Sequence, residues 1–171
     1  MANQISLRKV SLKDQETFLT AARKSRSLHQ NWVRVPHTAG AFRQYVKDMN
    51  TDTDIAYLVK ARFSKALVGV VELKDIYRGN FRNAYVIYFV FEGYASHGYM
   101  TEAVEELIHI AFSRLRLHRL EANIQPNNLA SRRLAKTCGF RKEGLAKAFL
   151  KKGGEWRDHE RWAVTSTELG Y

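Results

Sequence analysis

The sequence predicts an α/β chain of the mixed α+β kind, with a central, mostly antiparallel sheet of about seven strands flanked by about four helices, in one domain over residues 1–171. Three observations carry that prediction. Strand-length apolar stretches rich in Val, Ile, Tyr and Phe recur, most densely between residues 55 and 92. Other segments space their apolar residues at i, i+3, i+4 and i+7, the period of one helix face. Strand, helix and strand over residues 84–125 form a crossover, which needs parallel pairing if both strands share a sheet.

The elements follow in order. Residues 5–10 open with Ile5, Ser6, Leu7 and Arg8, the apolar–polar alternation of a half-buried strand. Ser11, with Asp14 three positions later, has capping-box spacing and starts a helix through about Lys24. The segment SLHQNWVRVPHT keeps neither period; Trp32 and Pro36 indicate a packed connector, after which Thr38 caps a second helix. Phe42, Tyr45, Val46 and Met49 fall on one face of that helix, expected to be buried. Beyond the polar turn NTDTD, strands at 55–62, 67–76 and 84–92, joined by short turns at 63–65 and 78–80, read as an antiparallel meander.

Met100, Val104, Leu107, Ile108, Ala111 and Phe112 then set a helical period over 99–115. A strand at 118–125, a helix at 128–138 and strands at 140–151 and 156–166 complete the chain. Gly139 followed by Phe140 gives the helix at 128–138 a glycine cap and an apolar anchor. Periodicity alone leaves a ferredoxin-like or other α+β sandwich open.

With 45% hydrophobic and 26% charged residues, 171 residues suit one core. Two prolines and ten glycines are too few for a Pro- or Gly-rich linker. The opening MANQISLRKV lacks the apolar stretch of a secretory signal, and no apolar run approaches the ~18 residues of a membrane span. A soluble, cytoplasmic protein is expected. The lone Cys138 has no intramolecular partner and reads as a small buried hydrophobe. Lys and Arg outnumber acids 28 to 17, for a net charge of +11, which favours an anionic ligand or partner. The cations are dispersed, so composition does not choose between a solvated basic surface, phosphate-bearing ligands and proximity to RNA or the ribosome. Six histidines show no HExxH spacing, and no metal is expected.

The segment FEGYASHGYMTEAV sets Gly93 and Gly98 between an apolar strand and an amphipathic helix. Free amides at a helix start attract anions, and glycine lets the main chain approach a phosphate. Two glycines alone, with no Walker lysine and no GxGxxG, fit a plain strand-to-helix turn better. The fragments GYMTEAV, NIQPNNLASRRL, CGFRKEG and GEWRDH, in that order, resemble the GNAT N-acetyltransferase superfamily, and more narrowly its RimJ-like branch, which acetylates the N-termini of ribosomal proteins. The similarity runs over about residues 68–164.

That resemblance implies a sheet splayed open between the strands at 84–92 and 118–125, with the pantetheine arm of acetyl-CoA in the cleft. The implied cofactor surface is Phe91, Glu92, Gly93, Ser96, His97, Gly98, Tyr99, Met100 and Thr101, together with Asn128 and Ser131. The family's pyrophosphate loop begins with Gln or Arg, where this chain has Ala95. Main-chain amides, helped by Ser96 or His97, are therefore expected to carry phosphate binding. Asn128 and Ser131 match the family's N-x-x-S, in which the asparagine meets pantetheine and the serine bonds the sulfur; an N-cap and a surface serine are the plainer alternative.

Transfer of acetyl to an amine needs a base, oriented donors and an acid. Ser131 is the first catalytic candidate; Glu72, in the strand LVGVVELKDI, and Glu92, closing the next, can each face the cleft and are the candidate bases, and this chain has Leu150 and Lys151 where some relatives carry a late-strand glutamate. If the strand at 84–92 is regular, Tyr88 shares a face with Glu92. The expected activity is direct transfer from acetyl-CoA, as co-substrate, to a primary amine such as a ribosomal protein N-terminus. Acetylation of a small amine or antibiotic, or a non-catalytic acyl-CoA-responsive or RNA-associated module, are the alternatives. Monomer and homodimer are both open.

Overall fold

In a computed structural model, which describes residues 4–29 and 32–171, seven strands form one sheet. They are β1 (Ile5–Lys9), β2 (Ile55–Ala61), β3 (Leu67–Tyr77), β4 (Asn83–Val90), β5 (Arg119–Ile124), β6 (Arg141–Lys152) and β7 (Glu155–Thr165). Their order is β1-β2-β3-β4-β5-β7-β6. Every neighbouring pair is antiparallel except β4 and β5. The helices are α1 (Gln15–Lys24), α2 (Arg26–His29), α3 (Ala39–Asp48), α4 (Tyr99–His109) and α5 (Leu129–Thr137).

The local signals are realised as chemistry. Asp14 closes a capping box with Ser11, over a short 3₁₀ turn that leads into α1. Thr38 accepts the Ala41 amide at 3.2 Å and starts α3. Gly139, at φ +87°, turns the chain out of α5 while Phe140 anchors in the core. α4 does not run regularly to residue 115. From Ile110 to Arg114 it widens into a π turn, with the Leu115 amide reaching the Ile110 carbonyl at 3.0 Å.

Two further expectations change. The connector after α1 begins with the four-residue helix α2, too short to display a period; Gln30 and Asn31 of that stretch lie outside the described residues. The third meander strand ends at Val90 rather than at 92.

Over its central strands the sheet buries both faces. On one, α4 and α5 cover Val71, Val86, Leu120, Ala122 and Trp162; on the other, α1 and α3 cover Leu58, Val70, Phe89 and Phe91. Paired residues share a face, so the register sorts the polar side chains too. Glu72 of β3 lies opposite Ile87 of β4, on the α3 side. Asn123 of β5 lies opposite Arg161 of β7, in a row with Glu121.

Candidate active site

β4 and β5 pair over only three positions, from Asn83 with Arg119 to Tyr85 with Glu121. Both strands continue beyond that point, so a gap opens between them. The Phe91 amide bonds to the Val68 carbonyl of the neighbouring β3 chain. By the alternation of an antiparallel ladder, the even residues Tyr88 and Val90 therefore turn their main-chain groups into the gap. His29 of α2 occupies one of them: its Nε2–H donates to the Val90 carbonyl at 2.6 Å.

At the wide end of the gap the chain runs through the loop into α4. Gly93 (φ +87°), Ser96 (φ +62°) and Gly98 (φ +81°) all take left-handed conformations. Open space lies where a Cβ on Gly93 or Gly98 would stand. Gly98 is the N-cap of α4 and offers no side chain, and the first helical bond is from the Glu102 amide to the Gly98 carbonyl. Among the described residues, the amides of Tyr99, Met100 and Thr101 have no acceptor. This is an anion-binding arrangement with room for the anion. His97 is exposed, its Nδ1–H donating to the Ala95 carbonyl at 2.7 Å and its ring stacked on Tyr99. Ser96 is exposed beside it.

The N-terminus of α5 closes the gap from the β5 side. Asn128 is its N-cap, Oδ1 accepting the Ser131 amide at 3.2 Å. Ser131 is not a free surface residue. Its Oγ donates to the Tyr88 hydroxyl at 3.0 Å, and that hydroxyl donates to the Ser131 carbonyl at 2.9 Å. Tyr88 therefore reaches across the gap to α5 and has no tie to Glu92. Burial holds its phenol above the ordinary range, so it stays protonated as a hydrogen-bond donor.

The two candidate carboxylates are far apart. Glu72 is 5% exposed and receives the Tyr45 hydroxyl at 2.6 Å. Burial lifts its pKa to about 7, against the smaller opposing pull of that hydrogen bond and of Lys74. Glu92 is exposed, two residues past the end of β4, and its amide bonds Ser25 Oγ at 2.9 Å. Counting along the strand from Ile87, Glu72 and Glu92 stand on the order of 15 Å apart. Phe91 departs from its expected place: its ring is 1% exposed, edge-on to Phe18 and Phe89 in the core beneath α1. It does not face the loop. Cys138 is buried with its thiol pushed up to about 12, the behaviour of a packed hydrophobe rather than a nucleophile.

On the α3 side, sequence reasoning missed a polar group that only the register assembles. Glu121 is consumed by Arg119 and Arg161. Asn123 Oδ1 is enclosed without a hydrogen-bond partner. His159, 2% exposed, donates Nδ1–H to the Arg157 carbonyl at 3.0 Å. Asp158, near it in sequence, accepts the Ala148 amide at 2.8 Å across the β6–β7 hairpin, a structural tie.

Comparison with known proteins places this architecture. Residues 4–141 match the family model of the acetyltransferase (GNAT) domain. The chain belongs to the GNAT acetyltransferase family. It is 34% identical over 125 residues, 73% of its length and 69% of the other protein's, to the probable N-acetyltransferase YjcK of Bacillus subtilis. It is 35% identical over 104 residues to the ribosomal protein uS5-alanine N-acetyltransferase of Escherichia coli, and this match spans 54% of that enzyme. Among solved structures, Mycobacterium smegmatis RimJ in complex with CoA-disulfide superposes with a TM-score of 0.90 at 24% identity, over 98% of this chain and 84% of that one. Spermidine N-acetyltransferase from Vibrio cholerae in complex with CoA and spermine gives 0.84 at 19% identity, over 98% and 99%. Both structural likenesses speak to the fold. The splayed strands, the loop and the α5 N-terminus are thus those of a GNAT acetyltransferase. No helix is long and apolar enough to cross a membrane among the described residues.

Proposed function

We propose that the chain transfers acetyl from acetyl-CoA to a primary amine by direct attack in a ternary complex, with the N-terminus of a protein, such as a ribosomal protein, as acceptor. The observation that carries this reading is the gap between β4 and β5, with the α4 amides at one end and the Tyr88–Ser131 pair at its side. The residues fit the cofactor: the unpaired amides of Tyr99, Met100 and Thr101 suit a pyrophosphate, and the free edge of β4 suits the amides of a pantetheine arm. Acetyl-CoA supplies the activated thioester. Gly93, Ser96, His97 and Gly98 shape the phosphate loop, and Asn128 holds α5 so that Ser131 faces Tyr88. Ser131 Oγ–H holds the Tyr88 hydroxyl at the sulfur side of the gap, and that hydroxyl becomes the donor to the departing sulfur when it turns from the Ser131 carbonyl. Glu72, on the opposite sheet face, takes the proton of the incoming ammonium, directly or through water. A carboxyl held near pH 7 suits that task. Glu92, exposed and remote from Glu72, serves the loop rather than the proton transfer.

Charge supports a single amine over a polycation. The net charge is +11, and Glu121, Glu143, Glu160 and Glu168 are each engaged by arginine or lysine. Against that net charge a polyamine would pay more Coulomb energy to approach than a single amine. Supporting this choice, the E. coli relative is named for an N-terminal protein acceptor. The test is incubation with labelled acetyl-CoA and peptides beginning with Ala or Ser, alongside spermidine and an aminoglycoside. Label on the peptide α-amines is expected; label confined to spermidine or the aminoglycoside would overturn the acceptor class.

A further inference from the structure

We infer that Asn123 and His159 form the cradle that receives the acceptor amine, Asn123 Oδ1 and His159 Nε2 each accepting one of its N–H bonds. This rests on the functional reading above and adds the residues that hold the acceptor. Two independent observations point to them.

An enclosed side-chain acceptor with no hydrogen bond costs roughly 1–3 kcal/mol, so folded proteins seldom leave one unused. Asn123 Oδ1 is such an atom. Its strand is the far wall of the gap, on the sheet face that carries Glu72.

His159 provides the second acceptor through its tautomer. The Arg157 carbonyl can only accept, so the proton of the neutral ring sits on Nδ1 and leaves a lone pair on Nε2. Nε2 has no partner among the described residues. Burial holds the imidazole below its ordinary range and keeps that lone pair available at neutral pH.

The register brings the two acceptors together. Asn123 pairs with Arg161, and His159 lies two residues along β7 on the same face, a diagonal with Cα atoms about 7–8 Å apart. A primary ammonium carries three N–H donors, two for this pair and one for the Glu72 side. Oδ1 is closed off from solvent, so the amine arrives by displacing a side chain. Arg161, opposite Asn123 with its guanidinium over the Phe149 ring and 39% of its side chain exposed, is the neighbour to be displaced; it leaves its ion pair with Glu121 to do so, and Arg119 keeps that carboxylate paired.

The test is steady-state kinetics of the full chain with a hexapeptide beginning with alanine, on Asn123→Leu, Asn123→Asp and His159→Phe. Asn123→Leu is expected to raise KM for the peptide about tenfold while calorimetric affinity for CoA and the thermal midpoint hold, because the change removes an unsatisfied polar atom at similar volume. Asn123→Asp, which keeps Oδ1, should restore much of the loss. His159→Phe should raise peptide KM likewise, keeping ring volume. An unchanged peptide KM in a folded Asn123→Leu protein that binds CoA would overturn the inference and leave the acetyltransferase reading standing. Failure of the unsubstituted chain to acetylate any amine would overturn both. If Asn123→Leu does not fold, an unchanged peptide KM in His159→Phe decides against the cradle by itself.

Discussion

Glu72→Gln should stabilise the chain in alkaline solution while removing most of its activity. Glu72 is buried and its carboxyl is raised from the ordinary 4.5 to about 7. A folded-state value above the unfolded one means that this group's contribution to stability is fully present below pH ~4.5. It is lost as pH rises through ~7. The gap of about 2.5 pH units, at 1.36 kcal/mol each, corresponds to about 3 kcal/mol, of which about 2 should be lost between roughly pH 5.5 and 8.5.

Glutamine keeps the volume and can still accept the Tyr45 hydroxyl, but it does not titrate. Urea denaturation of both proteins at those two pH values isolates Glu72, because carboxylates shifted the other way, such as Glu121 and Glu160, are common to both. The stability difference should move by about 2 kcal/mol in favour of the variant at the higher pH. Loss of a general base predicts a fall in kcat/KM of about a hundredfold or more. Parallel pH dependences in the two proteins would refute the buried, proton-holding carboxyl, and a wild-type rate in the variant would refute its role as base.

Two further outcomes are expected. Ser131→Ala removes the hydroxyl that donates to Tyr88 and should lower kcat by about tenfold or more with CoA affinity kept; single-turnover kinetics with calorimetry separates the two, and unchanged turnover counts against the assignment. Gly98→Ala places a Cβ at φ +81°, so the denaturation free energy should drop by about 1 kcal/mol and acetyl-CoA KM should rise; an unaltered KM would argue that the loop does not bind phosphate.

The fold was legible because its signals are local. Ser11 with Asp14, Thr38 and Gly139 mark helix ends within a few residues, and the Val- and Tyr-rich runs mark strands. Even the splay was reachable through the family fragments, and the pairing of β4 with β5 over three positions bears it out. What escaped depended on distant partners. Phe91 prolongs an apolar run that looks like strand, yet its ring turns into an aromatic cluster with Phe18, 73 positions away, and Glu92 is tied to Ser25 Oγ, 67 residues back. Tyr88 could be placed on a face from strand alternation, but its partner Ser131 lies 43 residues on, across the crossover. Asn123 opens the fragment NIQPNNLASRRL and His159 closes GEWRDH, but neither fragment shows that the two meet; only the register of β5 with β7 brings them side by side.

The central claim is that the gap between β4 and β5 delivers acetyl from acetyl-CoA to an N-terminal amine. The most direct measurement is mass spectrometry of a peptide beginning with alanine, incubated with the purified chain and acetyl-CoA, with fragmentation to locate any added acetyl group. A single acetyl on the α-amine, absent without the protein, is predicted. An unmodified peptide alongside chain shown by calorimetry to bind CoA, or acetyl found only on lysine side chains, would contradict it.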